Sequence, residues 1–355
     1  MAPLHVQTHK LLYRAMIGTG GVGSGSFFAL EGEHTLGREE SRAGRFLNRQ
    51  DYCKLHIVSH YVQTLLGPGF VVVPASKVGA DRHGQRLLAE MQEAGLDLRY
   101  MHVDKSRPTL FSFCFSYPDG SGGNLTTSDA ATSAVDPDFV NALDGEFARW
   151  PGQAIALAVP EVPLPARQRL LELGAAHRAL GVAGVTSAEA CSPQIWALLK
   201  NVDLLAVNLD EARALARAPQ TECTAAEVLT RVAHRLQRAR PGIRISLTAG
   251  KEGSWCWDGG ALAHTPAFVT EVVSTAGAGD AHLAGLIAGL AAGLALGQAH
   301  QLAGLVAGLS VQSPHTIHKQ IDRASLNDFA RRQTRALSAP VWELLDNQRE
   351  GAEVA

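Results

Sequence analysis

From Ala281 to His318 the chain contains no Asp, Glu, Lys or Arg, and this stretch restricts the fold more than any other. A helix that crosses a bilayer needs roughly 20 apolar residues, a length approached by the run from Ala281 to Leu296. Gly285, Gly289 and Gly293 also have the small-xxx-small spacing that packs membrane helices. Against a membrane span, Gln298, His300 and Gln301 interrupt the run and no basic cluster flanks it. The stretch is expected to be a helix buried in an α/β protein, with Gly285, Gly289, Gly293 and Gly297 on a four-residue spacing that lets it pack tightly.

The rest of the composition agrees with a globular protein that has no membrane partner. The 355 residues are 46% apolar and 19% charged, enough for one large domain or two. With 32 basic against 34 acidic residues, no cationic field exists to grip nucleic acid. Cys53, Cys114, Cys191, Cys223 and Cys256 form no Cys-x-x-Cys pair, which argues against a disulfide framework or a zinc site. The N-terminal MAPLHVQTHK lacks an apolar run of signal-peptide length, so cytoplasmic residence is the expectation.

Leu11 to Ile17 and Phe70 to Val73 read as short buried strands, Arg82 to Ala94 as a helix, and Thr109 to Tyr117 followed by Pro-Asp-Gly as one arm of a hairpin. From about residue 150 the rhythm is regular. Strands are expected at Ala154 to Val159, Gly181 to Thr186, Leu204 to Val207 and Arg244 to Thr248, with helices between them. Such βαβ alternation predicts a mostly parallel, doubly wound sheet covered on both faces, with ligands at the carboxyl ends of the strands.

Ser274-Thr275-Ala276-Gly277-Ala278-Gly279-Asp280 leads directly into the uncharged stretch. Small residues at a helix N-terminus expose backbone N–H groups where the helix dipole favours an anion, so the segment can cradle a phosphoryl group. Asp280 beside it can accept the proton of an attacking hydroxyl while the amides hold developing charge. Upstream, Asn208-Leu209-Asp210-Glu211 follows an apolar strand. Asn208 and Glu211 lie on one helical face and can either order the water shell of a magnesium ion or serve as an ordinary N-cap.

Four segments, in the right order, make the chain resemble the PfkB, or ribokinase-like, carbohydrate kinases. Val78-Gly79-Ala80-Asp81-Arg82-His83-Gly84 resembles the family's V-G-x-D-x-x-G, Asn208 to Glu211 its N-x-x-E, Thr248 to Gly253 its T-x-G-x-x-G, and Gly277 to Asp280 its G-A-G-D. The resemblance implies a three-layer αβα sandwich with a small β lid. One kinase domain would span residues 1–345, with lid segments near 18–48 and 105–130 and a tail at 346–355. It implies ATP-dependent phosphorylation of a hydroxyl on a sugar, polyol or nucleoside, with Asp280 as base and the amides of Gly277, Ala278 and Gly279 as the anion hole. Asn208 and Glu211 would organise magnesium, Glu211 through water, and Thr248, Gly250 and Gly253 would lie near the nucleotide. The resemblance also allows a homodimer.

The acceptor side matches less well. Ala43-Gly44-Arg45-Phe46-Leu47-Asn48 has the spacing of the family's G-G-x-x-x-N with Ala in place of the first Gly, which makes Gly44 and Asn48 candidate substrate contacts. Where relatives often carry an Asp shortly after the first strand, this chain reads Gly23-Ser24-Gly25-Ser26, and Ser274 replaces the Asp linked in some relatives to a potassium site. A sensor that kept the fold without turnover is therefore the alternative from another class. Gly18-Thr19-Gly20-Gly21-Val22-Gly23 fits the G-x-G-x-x-G of dinucleotide-binding proteins but lacks a good helix start after it. No G-x-x-x-x-G-K-[ST] occurs. His56 and His60, at i and i+4 without the Glu of H-E-x-x-H, are expected to be partly exposed residues of a helix.

Overall fold

The computed structural model describes residues 1–32, 35–119, 122–218 and 223–346; nearly all of the expected C-terminal tail lies outside them. Its centre is a nine-stranded sheet. The strands are β1 (Ala15–Thr19), β4 (Val71–Gly79), β5 (Met101–Asp104), β8 (Ala154–Ala158), β9 (Leu180–Gly184), β10 (Leu204–Asn208), β11 (Arg244–Thr248), β12 (Ser254–Trp257) and β13 (Leu262–Thr265). Their spatial order is β13-β12-β11-β10-β9-β8-β1-β4-β5. All neighbours are parallel except the β11–β12 and β12–β13 pairs. Strands β1, β8 and β9 are buried at every residue, which is why they read as unbroken apolar or small runs rather than as alternating patterns.

Helices cover both faces. On one, α1 (Lys54–Leu66), α2 (Arg82–Glu93), α10 (Ala278–Ala291), α11 (Leu296–Ser310), α12 (Arg323–Arg331) and α13 (Ala339–Leu345) share a core with Met16, Val72, Ile155 and Val182. On the other, α3 (Pro137–Asn141), α4 (Asp144–Ala148), α5 (Leu164–Ala176), α6 (Ser187–Cys191), α7 (Ile195–Leu199), α8 (Leu209–Ala216) and α9 (Ala225–Gln237) pack on Ile17, Val73, Ala183 and Ile245. A second sheet of four strands, in the order β3-β2-β6-β7, stands apart from the first. It is built from β2 (Gly23–Leu30), β3 (Gly44–Tyr52), β6 (Leu110–Ser116) and β7 (Gly122–Thr126). Here β2 runs parallel to β6, and the other two pairings are antiparallel.

Three expectations need correction. The uncharged stretch is two antiparallel-packed helices rather than one, because Gly293 takes a left-handed backbone (φ 87°) and turns the chain between α10 and α11. Only half of the glycine spacing serves packing. A Cβ on Gly285 would lie 2.8 Å from Ala303 Cα and one on Gly289 2.9 Å from Ala299 Cβ, whereas nothing stands within 4 Å of the corresponding points on Gly293 and Gly297. No described helix is long and apolar enough to cross a membrane. In keeping with the weak helix start after it, the segment Gly18 to Gly23 joins β1 to strand β2 and opens no helix, so the backbone N–H groups of a helix start that a dinucleotide pyrophosphate needs are absent there. His56 and His60 do lie on a helix, but they are 1% and 4% exposed. Tyr52 stands edge-on to His56 at 4.9 Å, and burial pushes the His60 imidazole down to about 4, so these are neutral core residues.

The glycine contacts give a test. Gly285→Ala should overpack the α10–α11 seam and cost about 1–3 kcal/mol, lowering the thermal unfolding midpoint. Gly297→Ala should leave the midpoint unchanged or raise it, and equal destabilisation by both variants would contradict the packing described.

Candidate active site

Parallel strands leave a crevice at their carboxyl ends where the chain switches direction from the central strand. Here the switch lies at β1, which is flanked by β4 on one side and β8 on the other. A cleft opens there, lined by Lys54, Val159, Pro160, Asn208, Glu211, Thr248, Gly279, Asp280 and His282 among others. Sequence reasoning named five of these: Asn208, Glu211, Thr248, Gly279 and Asp280. The larger open groove at Val269, Glu271, Phe329 and Arg332 contains none of the residues named from sequence.

Asp280 sits in the first turn of α10, whose N-cap is Gly277 with φ 80°. A Cβ there would meet the carbonyl oxygen of Thr316 at 2.6 Å, so the position has neither the backbone geometry nor the space for a side chain. The turn aims the N-terminus of α10 into the cleft. The N–H of Ala278 donates to Thr275 O at 3.2 Å, so this amide closes the turn in the structure and is the most committed of the three. Nothing stands within 4 Å of the missing side chain of Gly279, and this residue lines the cleft.

Asn208 and Glu211 form a reciprocal cap on α8. The Asn208 side chain accepts from Glu211 N at 2.9 Å, and the Glu211 carboxylate accepts from Asn208 N at 2.8 Å. Capping and facing the cleft are thus one arrangement, since the cap fixes both side chains at the carboxyl end of β10. Burial raises the Glu211 carboxyl above its ordinary range. Thr248 ends β11 and lines the cleft, and Gly250 and Gly253 form the turn that follows it, both with positive φ. Gly44 lies at the outer end of β3 opposite Leu30, and Asn48 is exposed on the same strand. Neither lines the cleft.

Two charged residues that sequence reasoning missed complete the site. The Lys54 ammonium lies 3.4 Å from Asp280 Oδ1, and that carboxylate raises the lysine above its ordinary value. Glu161 accepts from the backbone N–H of Lys54 at 3.2 Å and holds a left-handed backbone (φ 77°) unusual for a residue with a side chain. A Cβ on Gly21 would fall 2.2 Å from Glu161 Oε2, so a glycine of the false dinucleotide motif leaves room for this carboxylate. Burial pushes Glu161 up to about 7, partly offset by Lys54. Glu161 was in principle findable, because it follows β8 at the sheet edge where ligands bind. Lys54 was not, because its partner lies 226 residues away.

Together the doubly wound sheet, the small second sheet and an anion-directed helix start beside an aspartate define a phosphotransferase-type α/β architecture. Residues 60–323 match the family model described as pfkB family carbohydrate kinase, and the chain belongs to that family. No curated protein matches it. Among solved structures, it is similar to the ribokinase of Giardia lamblia (17% identity, 89% of this chain and 99% of that one, TM-score 0.76). It is also similar to the Arabidopsis thaliana ribokinase complexed with ribose and ATP (18%, 89% and 98%, TM-score 0.71). A third is the nucleoside kinase of Burkholderia thailandensis in complex with inosine (17%, 89% and 97%, TM-score 0.68). The shared fold is the ribokinase-like αβα sandwich expected from the sequence.

The raised Glu161 carboxyl makes stability depend on pH. Its folded value, about 7, exceeds the ordinary 4.5, so its contribution is fully present below the unfolded value and is lost as pH rises through 7. Glu161→Gln cannot ionise, so its unfolding midpoint relative to that of the unaltered protein should rise between pH 4.5 and 8. Parallel midpoint curves for the two proteins would show that Glu161 ionises normally.

Proposed function

We propose that the protein transfers the γ-phosphoryl group of ATP to a hydroxyl of a sugar, polyol or nucleoside, with Asp280 as the base. The observation that carries this reading is the position of Asp280: in the first turn of α10, one residue beyond Gly279, and inside the cleft at the sheet's carboxyl edge. The acceptor hydroxyl gives its proton to Asp280, its oxygen forms the new bond to phosphorus, and the bond from phosphorus to the β-phosphate bridging oxygen breaks to release ADP. Lys54 orients the base from one side. The helix N-terminus, with the amides of Gly277 and Gly279 foremost, offers fixed donors to the negative charge on the group in flight.

Thr248, Gly250 and Gly253 place the nucleotide along the end of β11. Among the described residues no three His, Cys, Asp or Glu side chains gather closely enough to hold a metal by themselves. The partly desolvated Glu211 nevertheless fits a magnesium ion held mainly by water and phosphate oxygens, as is usual for this ion. Magnesium would supply charge neutralisation on the phosphates. Two of the structural relatives, one complexed with ribose and ATP and one with inosine, support a sugar or nucleoside acceptor. The four-stranded sheet serves as a lid whose closure keeps out water as a competing acceptor, and the activity fits a cytoplasmic setting.

The test is ADP release from ATP and magnesium with a panel of sugars, polyols and nucleosides. At least one should stimulate it; stimulation by none would favour the nucleotide-binding sensor. Asp280→Asn should lower turnover by about 10²–10⁴-fold while ATP binding measured by calorimetry persists. Glu211→Gln should raise the magnesium concentration needed for half-maximal rate, and an unchanged requirement would remove Glu211 from that role.

A further inference from the structure

Two histidines in the seam between α10 and α11 carry polarity that packing does not require. His282 on α10 and His300 on α11 are 4% and 0% exposed, among inward residues that are otherwise apolar, such as Leu286, Leu302 and Ala303. Their rings meet at a steep angle with centres 5.0 Å apart. The Nε2 atom of each is buried and has no hydrogen-bond partner among the described residues. Burial pushes His282 down to about 4 and holds His300 well below its ordinary value, so both rings are neutral. Among the described residues no third His, Cys, Asp or Glu joins them to make a metal centre. A buried nitrogen without a partner is costly, and leucine would fill either place without that cost. The nitrogen that does have a partner therefore has to account for a histidine at position 300.

That atom is His300 Nδ1, which lies 3.1 Å from Ser254 Oγ. Ser254 is the first residue of β12 and directly follows Gly253. It stands opposite Thr248 on β11 and Thr265 on β13, so its side chain shares a face of the sheet with that of Thr248, which lines the cleft. Within the turn Ala249 N donates to Gly253 O at 2.9 Å and Gly253 N to Gly250 O at 3.0 Å. Gly253 has φ 94°, and a Cβ there would run into the carbonyl of Thr265 and the N–H of Ala267. Lys251 and Glu252 are exposed, whereas Ser254 is 3% exposed, so the hold from the core side comes through Ser254. His282 lines the cleft two residues after Asp280 and abuts His300. Three side chains thus run in contact from the first turns of α10, across α11, to the end of the turn after β11.

We propose that His300 is a positioning residue for the nucleotide: through Ser254 it fixes the turn from Gly250 to Gly253, and through His282 it ties that turn to the helix that carries Asp280. A serine hydroxyl pairs with either tautomer of the ring, so the contact needs only a polar atom at the place of Nδ1. An apolar residue at position 300 would leave Ser254 Oγ buried and unpaired, and the start of β12 would loosen together with the turn before it. The inference rests on the nucleotide part of the phosphoryl-transfer reading for its kinetic form, but not for the hold on the turn.

The experiment compares the unaltered protein with His300→Asn, His300→Gln, His300→Leu and Ser254→Ala. Asn places a polar group near the position of Nδ1, Gln places one near that of Nε2, and Leu places none. His300→Leu, His300→Gln and Ser254→Ala should each raise the KM for ATP about 3- to 10-fold, the loss expected for one neutral hydrogen bond, while the KM for the acceptor stays constant. His300→Asn should keep the ATP KM of the unaltered protein. The double variant of His300→Leu and Ser254→Ala should be no weaker than either single one, because both remove the same contact. Equal rises in the two KM values, additive effects in the double variant, or an asparagine variant as weak as the leucine variant would overturn the role of His300. If ATP with magnesium does not bind the unaltered protein in a calorimetric titration, the nucleotide reading fails by itself. Amide hydrogen exchange then decides about His300: faster exchange in His300→Leu confined to residues 250–254 upholds the hold on the turn, and exchange there that is unchanged, or that quickens equally along α10 and α11, refutes it.

Discussion

The catalytic end of the molecule depends on one backbone position. Gly277 must take φ 80° with its α-hydrogen against the carbonyl of Thr316, and from that turn follow the direction of α10, the exposure of its N-terminal amides and the place of Asp280. A side chain at Gly277 would displace the Thr316 segment, which also receives the end of β3 through Gln50 and Tyr52. One steric constraint therefore links the N-terminus of α10 to the small second sheet. It also explains why the uncharged α10 has to be so deeply buried. All residues from Ala281 to Ala291 are buried, and a helix whose start is wedged against the Thr316 carbonyl needs a close-packed body that cannot shift.

Much of this was legible before the fold was known. Fully buried parallel strands announce themselves as apolar runs, so β8 to β11 were readable to within a residue or two, and Gly-Ala-Gly-Asp marked the turn that starts α10 because that signal is local to seven residues. Errors arose where a pattern had two physical causes. Four glycines at equal spacing looked like one packed face, yet Gly293 breaks the helix and Gly297 touches nothing. The two histidines of α1 carry the polarity of surface residues, but tertiary packing buries them. The glycines after β1 fitted a phosphate-loop pattern that the sequence already disfavoured for want of a helix start, and Gly21 makes room for Glu161.

The acceptor side was the least legible part for a different reason. Its residues come from elements far apart in sequence, and nothing in their neighbours marks them. Gly44 and Asn48 had the right spacing but fall on the outer and exposed parts of β3. The same strand carries Asp51 three residues further on, toward Thr316. A register of two strands, which no single strand reveals, decides which partner on β2 each of these residues meets.

Charge distribution in the cleft gives the site its final constraint. Lys54 feels Asp280, Glu161 and Glu211 together, so one ammonium serves three carboxylates, and Glu161 and Glu211 remain raised despite it. Burial therefore outweighs the ammonium at both carboxyls. On the proposed reading a triphosphate would arrive with its own divalent cation and would not depend on Lys54 for charge compensation. On the proposed reading the helix N-terminus would meet the phosphoryl oxygens while Lys54 stays beside Asp280, which would separate the positive charge paired with Asp280 from the positive charge that accompanies the nucleotide. The ion pair at 3.4 Å thus ties the first residue of α1 to the first turn of α10.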